Sequence, residues 1–510
     1  MGTLPIDFSP PLNILLLGAL TTPIASSLGP RLRGWAGKGC ATLSLALSGA
    51  SLYPLYQRTR TEPLAVGPAG GGGSPACACL FIDTAGILVA SVAILLGLAA
   101  AVYSTRYRER EGGDAEYYSL LLLMVAGMVG VGFSGDLLTL FVFWELMSVA
   151  SYVLVAFESE AAEPVEAGLK YTIMSAAGNI ALLVGMALLY GLTGTLNMAH
   201  IAQVFQAGAA SAADDIWQAV ALTLVLIGFG TKAAIVPFHT WLPDAHPAAP
   251  SPISAMLSGG LIKAGAYGLI RICTSIFLPL SGAWQPVLLL LALLTMSTGN
   301  ILALVQQDLK RLLAFSSIAQ IGYIVFGLAT GTVDGLTGSL FHVLNHALAK
   351  GLLFLCAGAF LYATGTRKIR DLSGMARQNP GLGGIFTLGM LAIAGLPGLN
   401  VFMSEIWIIR GGIQAAQILP TALLVANVLL SVMYYLRTIQ VIMMEQPTPV
   451  VLDARAVPAA MLAPMAVLAT LCVVIGLYPD PFVRFASQAA AMVWSGPAQV
   501  ATWTSGGLLR

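Results

Sequence analysis

Apolar runs of about twenty residues, the length a helix needs to cross a bilayer, recur along almost the whole chain. The pattern predicts about fourteen spans, centred near residues 20, 46, 92, 125, 147, 180, 227, 263, 295, 320, 350, 393, 430 and 467. The first run, residues 11–28, follows no cationic segment, which favours a spanning helix over a cleaved signal. We therefore expect an all-α polytopic membrane protein.

Composition supports the membrane class. Of the 510 residues, 57% are hydrophobic and only 9% are charged, whereas soluble domains carry about 25% charged residues. The net charge of +1 gives no indication of a nucleic-acid partner. The sequence contains no P-loop and no GxGxxG that opens a helix, so we expect this chain to bind no cofactor of its own.

Basic residues predict the orientation, because cytoplasmic loops are enriched in lysine and arginine. The loops after odd-numbered spans hold most of them, namely Arg31, Arg33, Lys38, Arg106, Arg108, Arg110, Lys310, Arg311, Arg367, Lys368, Arg370, Arg377 and Arg455. The even-numbered loops and the C-terminal tail hold little beyond Arg58, Arg60, Arg484 and Arg510. We expect the odd-numbered loops in the cytoplasm and both termini on the outer face.

Two prolines indicate an internal duplication. Pro237 interrupts the seventh predicted span and Pro397, in AIAGLPGLNVF, interrupts the twelfth, 160 residues and five spans later. Paired broken helices in two halves are typical of transport sites. The predicted units are residues 1–116 (spans 1–3 with a Gly-rich loop), 117–278 (a first five-helix repeat), 284–446 (a second repeat) and 447–510 (span 14 and a C-terminal tail).

Five charged residues lie well inside predicted spans: Glu145, Lys232, Lys263, Lys350 and Glu405. A charge at the centre of an inserting helix costs about 2.5 to 3.5 kcal/mol on insertion scales, so each residue is a candidate for function. Any single one could instead snorkel to the interface or close a structural salt bridge. A buried lysine whose carboxylate partner moves nearer or farther can take up and release a proton. The set of five therefore predicts proton translocation.

His342, His346 and Lys350 repeat every four positions and so lie along one face of the eleventh predicted span. Because imidazole titrates near neutral pH, the face favours a proton relay. Two alternatives stay open: a zinc site, since H-x3-H on a helix can hold the metal, and plain packing. No glutamate follows His342 directly and no third ligand is evident.

The segment TKAAIVPFHTWLPDAH, Thr231–His246, combines charge with helix breakers. Pro237 frees backbone carbonyls, which a membrane tolerates only where the backbone lines water or protein. His239 and His246 beside the break either face a hydrated cavity or tie down freed backbone. We expect WLPDAHPAAPSP to form a cytoplasmic turn that leads to Lys263.

Four other charged residues have a structural explanation. Asp136 precedes the fifth predicted span, where an acidic side chain caps the first turn and is favoured by the helix dipole. Asp308 stands at the start of a later predicted helix, on the cytoplasmic side. Lys310 and Arg311 follow at the same helix start as Asp308. We expect all four to stabilise helix ends.

Four long motifs carry a family resemblance: FWELMSVASYVL, GFGTKAAIVPFHTWLPDAHPAAPSPISAMLSGGLIKAGAY, QQDLKRLLAFSSIAQIGY and LFHVLNHALAKGLLFL. With them, the chain between residues 141 and 362 resembles the antiporter-like membrane subunits shared by respiratory complex I, Mrp-type Na+/H+ antiporters and membrane-bound group 4 hydrogenases. The resemblance implies fourteen helices, two inverted five-helix repeats, broken seventh and twelfth helices, and a bacterial or archaeal inner (cell) membrane.

The resemblance also implies roles for the buried charges. Glu145 matches the family's fifth-helix glutamate, and Lys232 matches its lysine partner on the seventh helix. Lys263 matches the eighth-helix lysine, from which a hydrophilic axis continues through the eleventh-helix residues. Glu405 stands where many members have lysine, and this departure changes how the last proton exchanges with the outer side. No long lateral amphipathic helix is expected after span 14.

Together these features predict a proton-translocating subunit of a redox-driven complex, complex I-like or a membrane-bound hydrogenase. Protons would enter from the cytoplasm near Lys232, pass Lys263 and the eleventh span, and leave at Glu405. The expected partners are further antiporter-like membrane subunits, a soluble redox arm and lipid, and the chain's enzymatic status is that of a translocase subunit without redox chemistry of its own. The alternatives are an Mrp-type Na+/H+ antiporter subunit, a stand-alone ion or solute transporter, a scaffold, and a zinc enzyme built on His342 and His346.

Overall fold

The computed structural model describes residues 9–27, 33–66, 79–109, 113–158, 160–207 and 212–506. The GPAGGGGSP run of the predicted loop, residues 67–75, lies outside the described residues, as do Arg31, Arg110 and Arg510. What is described is almost entirely helical. A small antiparallel pair, β1 (Leu64–Val66) and β2 (Leu80–Ile82), flanks the undescribed loop.

The helices of the first half run along the chain in the order α1 (Pro10–Ser27), α2 (Arg33–Thr59), α3 (Thr84–Tyr107), α4 (Asp114–Phe133), α5 (Leu137–Val155), α6 (Ala162–Thr193), α7 (Met198–Gln206), α8 (Ala212–Lys232), α9 (Leu242–Ala248), α10 (Ser251–Met256) and α11 (Ile262–Ser275). A π-helical turn, Leu257–Leu261, joins α10 to α11 without a break. The short α7 lies in a segment for which the hydropathy pattern predicts no span.

The second half consists of a 3-10 turn, Leu278–Leu280, and α12 (Ser281–Leu304), α13 (Leu309–Ala329), α14 (Val333–Thr364), α15 (Met375–Gln378), α16 (Pro380–Ile393), α17 (Asn400–Gln414), α18 (Ile418–Met444), α19 (Pro449–Leu452), α20 (Ala459–Leu477) and α21 (Asp480–Gly506). Every predicted span centre lies within a helix. In the described ranges, ten segments are long and apolar enough to cross a membrane. The all-α membrane class is confirmed.

Both predicted helix breaks are present. Helix α8 ends at Lys232, because the ring of Pro237 clashes with a carbonyl four residues before it in a continuing helix. Ala234 then takes a left-handed conformation with φ +57°, and helical structure resumes at Leu242. Likewise α16 ends before Pro397, Gly395 has φ +73°, and α17 follows.

Helix starts at Asp136 and Asp308 are built alike. The Asp136 carboxylate accepts from the Thr139 amide and caps α5, and the Asp308 carboxylate accepts from the Arg311 amide and caps α13. Each aspartate also forms an isolated antiparallel bridge to the segment after a 32-residue helix, Asp136 to Asn197 after α6 and Asp308 to Lys368 after α14. The predicted capping role of Asp136 is confirmed, and the structural role expected of Asp308 is also that of a cap.

The predicted turn WLPDAHPAAPSP is instead partly helical and lies inside the bundle. Residues Leu242–Ala248 form α9, and Ser251–Met256 form α10. Pro243 and Pro252 stand in the first turns of these helices, where a missing N–H leaves no hydrogen bond unmade, so they start helices and do not interrupt them. His246 and Trp241 are consequently buried.

The C-terminal tail, to which the sequence pattern assigns no secondary structure, is helical. It forms the 27-residue helix α21, which packs back against α3, α11 and α14. Thr84, at the start of α3, donates to the sulfur of Met492 at 3.2 Å, and the Tyr56 and Phe485 rings meet edge-on at 5.3 Å. Alanines 486, 489 and 490 are buried at spacings of three to four, which gives α21 the apolar stripe that such packing needs.

The interior of the bundle is formed by α10, α11, α13 and α14, whose side chains are almost all buried. Helices α6, α12, α18 and α20 lie at the periphery and expose apolar side chains such as Ile180, Leu290 and Leu429. The buried charges therefore lie in two different environments. Lys263 and Lys350 lie on interior helices, whereas Glu145 lies on the more open α5.

Candidate functional site

The long helix α14 carries the predicted relay residues through the centre of the protein. His342, His346 and Lys350 are fully buried. The two imidazole rings are nearly parallel, with centroids 5.7 Å apart and planes at 8°. The three residues lie on one face of α14, as predicted.

His342 links three helices through its two ring nitrogens. Its Nε2 lies 2.6 Å from Oε1 of Gln320 on α13, and its Nδ1 lies 2.9 Å from Oγ of Ser404 on α17. A zinc ion bound by His342 would have to displace one of these hydrogen bonds. In the parts of the chain that the structure describes, no group of three His, Cys, Asp or Glu side chains could hold a metal ion.

Lys350 is buried among neutral groups. Its ammonium donates to the Leu313 carbonyl at 3.0 Å and to the Ser316 hydroxyl, both on α13. None of the described carboxylates lies within ion-pair distance of it. Burial of a charge without a counter-charge is costly, so this position favours a lysine that changes its protonation state over one that closes a structural ion pair.

Lys263 is the first charged residue after the π-helical turn. Its ammonium donates to the Ser258 carbonyl within that turn. A π-helical turn widens the backbone spacing, and such turns are frequent at functional sites. The π-helical turn that precedes Lys263 packs against α14, so the structure brings the eighth-span lysine near the helix of the relay.

Lys232, the last residue of α8, sits in an aromatic and hydroxyl-lined pocket. Its Nζ donates to Ser175 Oγ at 3.3 Å and to Tyr152 OH at 3.4 Å. The ammonium also lies 5.0 Å from the centre of the Tyr152 ring and 5.1 Å from that of Tyr171. Ring faces attract cations, so this cluster partly compensates for the lost hydration of a buried ammonium.

Glu145 lies beside this pocket but does not contact Lys232 as a direct ion pair. Its Oε1 accepts from Asn179 Nδ2 at 2.6 Å, and the same amide accepts from the Trp144 indole at 2.9 Å. Glu145, Tyr152 and Asn179 line a cavity of about 210 Å³. The two charges interact electrostatically within one cluster, and Asn179 orients the carboxylate there.

The side chain of Glu405 reaches into the second helix break. It is 4% exposed, on the first half of α17, and its Oε2 occupies the space that a Cβ on Gly395 would take. No described lysine or arginine lies within ion-pair distance of its carboxylate. Ser404, the residue before Glu405 in the chain, contacts His342. A single residue therefore connects the α14 relay to Glu405.

The two histidines near the first break have different environments. His246 is fully buried, stacks on Phe354 with ring centroids 4.4 Å apart, and has no hydrogen-bond partner on either ring nitrogen. Its backbone carbonyl, not its ring, accepts from Ser254 Oγ at 2.8 Å. His239 is half-buried at the break itself. The His246 ring therefore does not tie down the chain through hydrogen bonds.

Lys310, expected to stabilise a helix end, is more deeply placed than its sequence position indicates. It is 1% exposed and donates to the Ala249 carbonyl at 2.7 Å, which connects α13 to the segment between α9 and α10. Lys310, Lys263 and Lys350 all interact electrostatically with His246. The structure thus collects four titratable side chains between the start of α13 and the α14 relay.

Sequence reasoning missed the neutral partners of these charges. Tyr152, Ser175 and Asn179 surround Lys232 and Glu145, while Ser316, Gln320 and Ser404 contact the relay residues. Hydroxyl and amide side chains are common in spanning helices, so composition gave no signal. A signal was present in helical spacing, because Ser316 and Gln320 lie four positions apart and so on one face of α13.

Comparison with known proteins supports the sequence resemblance. The family model described as NADH:quinone oxidoreductase/Mrp antiporter, transmembrane, matches residues 134–433, which include all the buried charges above. The chain is 38% identical over 438 residues to the NADH-quinone oxidoreductase subunit N of Desulforudis audaxviator, covering 82% of this chain and 85% of that one.

Two solved structures are similar over nearly their whole length. A chain of the Mrp complex from Dietzia sp. DQ12-45-1b superposes with a TM-score of 0.88 at 26% identity, covering 98% of this chain and 99% of that one. A chain of the membrane-bound sulfane sulfur reductase, an archaeal respiratory membrane complex, gives 0.86 at 30% identity, covering 96% and 98%.

Proposed function

We propose that this chain, which belongs to the NADH:quinone oxidoreductase/Mrp antiporter transmembrane family, translocates protons as a membrane subunit of a redox-driven multisubunit complex. The observation that carries the proposal is the series of buried charges without direct counter-charges, Lys232, Lys263, Lys350 and Glu405, linked by two buried histidines. Such residues are costly in a membrane interior and persist where they move ions.

The proposed route takes the buried groups in the order of the spans that carry them. A proton taken up from the cytoplasmic side at Lys232 passes to Lys263, then to the α14 face with His342, His346 and Lys350, and leaves at Glu405. Redox chemistry takes place in partner subunits and reaches this chain as a change of charge or conformation. Moving one charge against 100 mV requires about 2.3 kcal/mol. Moving the charged partner of a buried ammonium changes the pKa of that ammonium, and this change can supply the energy.

The proposed architecture has about fourteen spans, with inverted five-helix repeats over residues 117–278 and 284–446. Three paired features support the repeats: the breaks after α8 and α16, the caps at Asp136 and Asp308, and the bridges that follow α6 and α14. The distribution of arginine and lysine supports a proposed orientation with both termini on the outer face of a bacterial or archaeal inner membrane.

A second candidate is a subunit of an Mrp-type Na+/H+ antiporter, favoured by the full-length structural similarity to the Mrp complex chain. The two candidates differ in their partners. A redox-driven subunit co-purifies with a soluble arm that carries electron-transfer centres, whereas an antiporter subunit co-purifies with membrane subunits alone and exchanges Na+ for protons in liposomes.

The proposed function is tested by Lys232→Ala and Glu405→Ala in the assembled complex, reconstituted into liposomes. Both variants should abolish or strongly reduce proton translocation while electron transfer by the soluble arm stays measurable. The matched control is Lys170→Ala, because Lys170 is exposed on α6 and pairs with Glu166 at 2.8 Å. Full translocation in both buried-charge variants would contradict the assignment.

A further inference from the structure

A second buried ionic group lies beneath Lys263, and the proposed proton route does not use it. Lys263, Tyr267 and Arg271 repeat every four positions along α11, so they lie on one helix face that leads towards the end of α11. At that end Arg271 Nη2 contacts Asp83 Oδ2 at 2.7 Å. Both side chains are buried, with 8% and 1% of their surfaces exposed.

Hydrogen bonds connect the three side chains of this group to one another and to the backbone. Arg271 Nε and Nη2 donate to Tyr267 OH at 3.2 and 2.6 Å, and Tyr267 donates in turn to the Gly132 carbonyl at 3.0 Å. The other Asp83 oxygen accepts from the Gly86 amide at 2.7 Å. The network joins the start of α3, the end of α4 and the end of α11.

The surrounding backbone is closely packed. A Cβ on Gly86 would collide with the Gly132 carbonyl oxygen, so α3 and α4 touch through their backbones at this level. Helix α21 covers the start of α3, where Met492 accepts from Thr84. This end of the bundle lies opposite the end where Asp308 caps α13, because the 24-residue helix α12 separates the end of α11 from the start of α13.

The chemistry of the group suits a barrier better than a path. A guanidinium is not deprotonated in proteins, so Arg271 cannot hand a proton on. Its fixed positive charge repels hydronium and metal cations, as arginines do in channels that exclude protons. A buried ion pair contributes little net stability compared with an apolar packing of the same volume, so stability alone explains its presence poorly.

We propose that Arg271, Asp83 and Tyr267 form an outer seal beneath Lys263, which prevents a proton on Lys263 from escaping along α11 to the outer side. The seal leaves the α14 relay as the way out for that proton. The proposal rests on the proposed function and adds a residue class to it: groups that direct protons by blocking one exit.

The test is the double variant Asp83→Asn with Arg271→Gln in the intact complex that contains this chain, reconstituted into liposomes. Asparagine keeps the cap on α3 and glutamine keeps a hydrogen-bond donor, and the two substitutions together leave no lone buried charge. Passive proton flux is measured from the decay of an imposed pH gradient without an electron donor. We expect a severalfold faster decay than in the wild type.

The matched control is Asp334→Asn with Arg410→Gln. This pair has a similar geometry, with Arg410 Nε 2.8 Å from Asp334 Oδ2, but the arginine side chain is 63% exposed. Removal of this exposed ion pair should leave the pH gradient decaying at the wild-type rate. A wild-type rate in the Asp83/Arg271 variant as well would overturn the seal.

A leak through Lys263 is distinguished from a leak through distorted packing by adding Lys263→Ala to the double variant. The seal predicts that the added leak falls back towards the wild-type rate, whereas an unchanged leak would overturn it. If the double variant does not assemble, Tyr267→Phe carries the test, because it removes the acceptor of two Arg271 hydrogen bonds. Raised passive flux in that variant supports the seal and wild-type flux rejects it.

These outcomes are independent of the test of the proposed function. The leak is measured without redox turnover, whereas the Lys232 and Glu405 variants are measured during turnover. Normal pumping by those two variants together with a raised leak at Arg271 would reject the route and keep the barrier. Lost pumping in those two variants together with a wild-type leak in the Asp83/Arg271 variant would keep the route and reject the barrier.

Discussion

His342 Nδ1 lies 2.9 Å from Ser404 Oγ, a contact that joins the relay on α14 to the first half of α17. The Ser404 hydroxyl also lies 2.8 Å from the Val401 carbonyl, to which it can donate. It can donate to His342 when Nδ1 is unprotonated, or to Val401 while accepting from a protonated Nδ1. The hydroxyl can therefore follow the proton on His342, one residue from Glu405.

We predict that Ser404→Ala slows proton translocation about fivefold, because one hydrogen bond is worth about 1 kcal/mol and that amount corresponds to such a change in rate. The measurement is the initial rate of proton translocation relative to electron transfer in reconstituted complex. Ser91→Ala is the control, since that hydroxyl donates to the Ile87 carbonyl within α3. Equal rates in the two variants would remove Ser404 from the route.

Asn179 offers a second test, since it holds the Glu145 carboxylate at 2.6 Å. Asn179→Ala removes a hydrogen bond to a charged group, worth about 1.5 to 3 kcal/mol. We expect proton translocation to fall about tenfold or more, with the complex still assembled. Asn379→Ala serves as control because Asn379 caps α16 away from this cluster. A variant Asn179→Ala that pumps as well as the control would show that Glu145 needs no such support.

The sequence predicts the long apolar helices, both breaks and the five charges inside apolar runs, because each leaves a strong local signal. An apolar run, a proline inside it or a charge inside it can be read without knowing the neighbours. Asp83 and Arg271 gave no such signal, since both stand near span ends, where charges are ordinarily solvated. Only the packing of α3 against α11 and α21 shows that they are buried together.

The helix α9 and the contact partners of the lysines required tertiary information. Prolines 243 and 247 predict a turn by local rules, yet the interior location makes a hydrogen-bonded helix favourable there. The indirect placement of Glu145 relative to Lys232 likewise depends on Asn179, which is 34 residues away in sequence from Glu145. No spacing rule connects such residues.

Gly395 and Gly398 provide a matched pair at the second break. Both have positive φ, +73° and +89°, so alanine at either position strains the backbone by about 1 to 2 kcal/mol. A Cβ on Gly395 would also collide with Glu405 Oε2, whereas one on Gly398 meets open space. We expect both alanine variants to lower the thermal stability of the complex alike, and only Gly395→Ala to reduce proton translocation. Equal translocation in both would mean that the position of the Glu405 carboxylate is unimportant.

The central claim is that protons cross the protein at Lys350, the buried ammonium on α14 whose hydrogen bonds, among the described residues, all go to neutral groups of α13. Its most direct test is the number of protons translocated per electron pair by the reconstituted complex with Lys350→Met, compared with Lys368→Met at an exposed position. We predict that Lys350→Met translocates fewer protons per electron pair while electron transfer continues, and that Lys368→Met matches the wild type. A wild-type proton yield from Lys350→Met would contradict it.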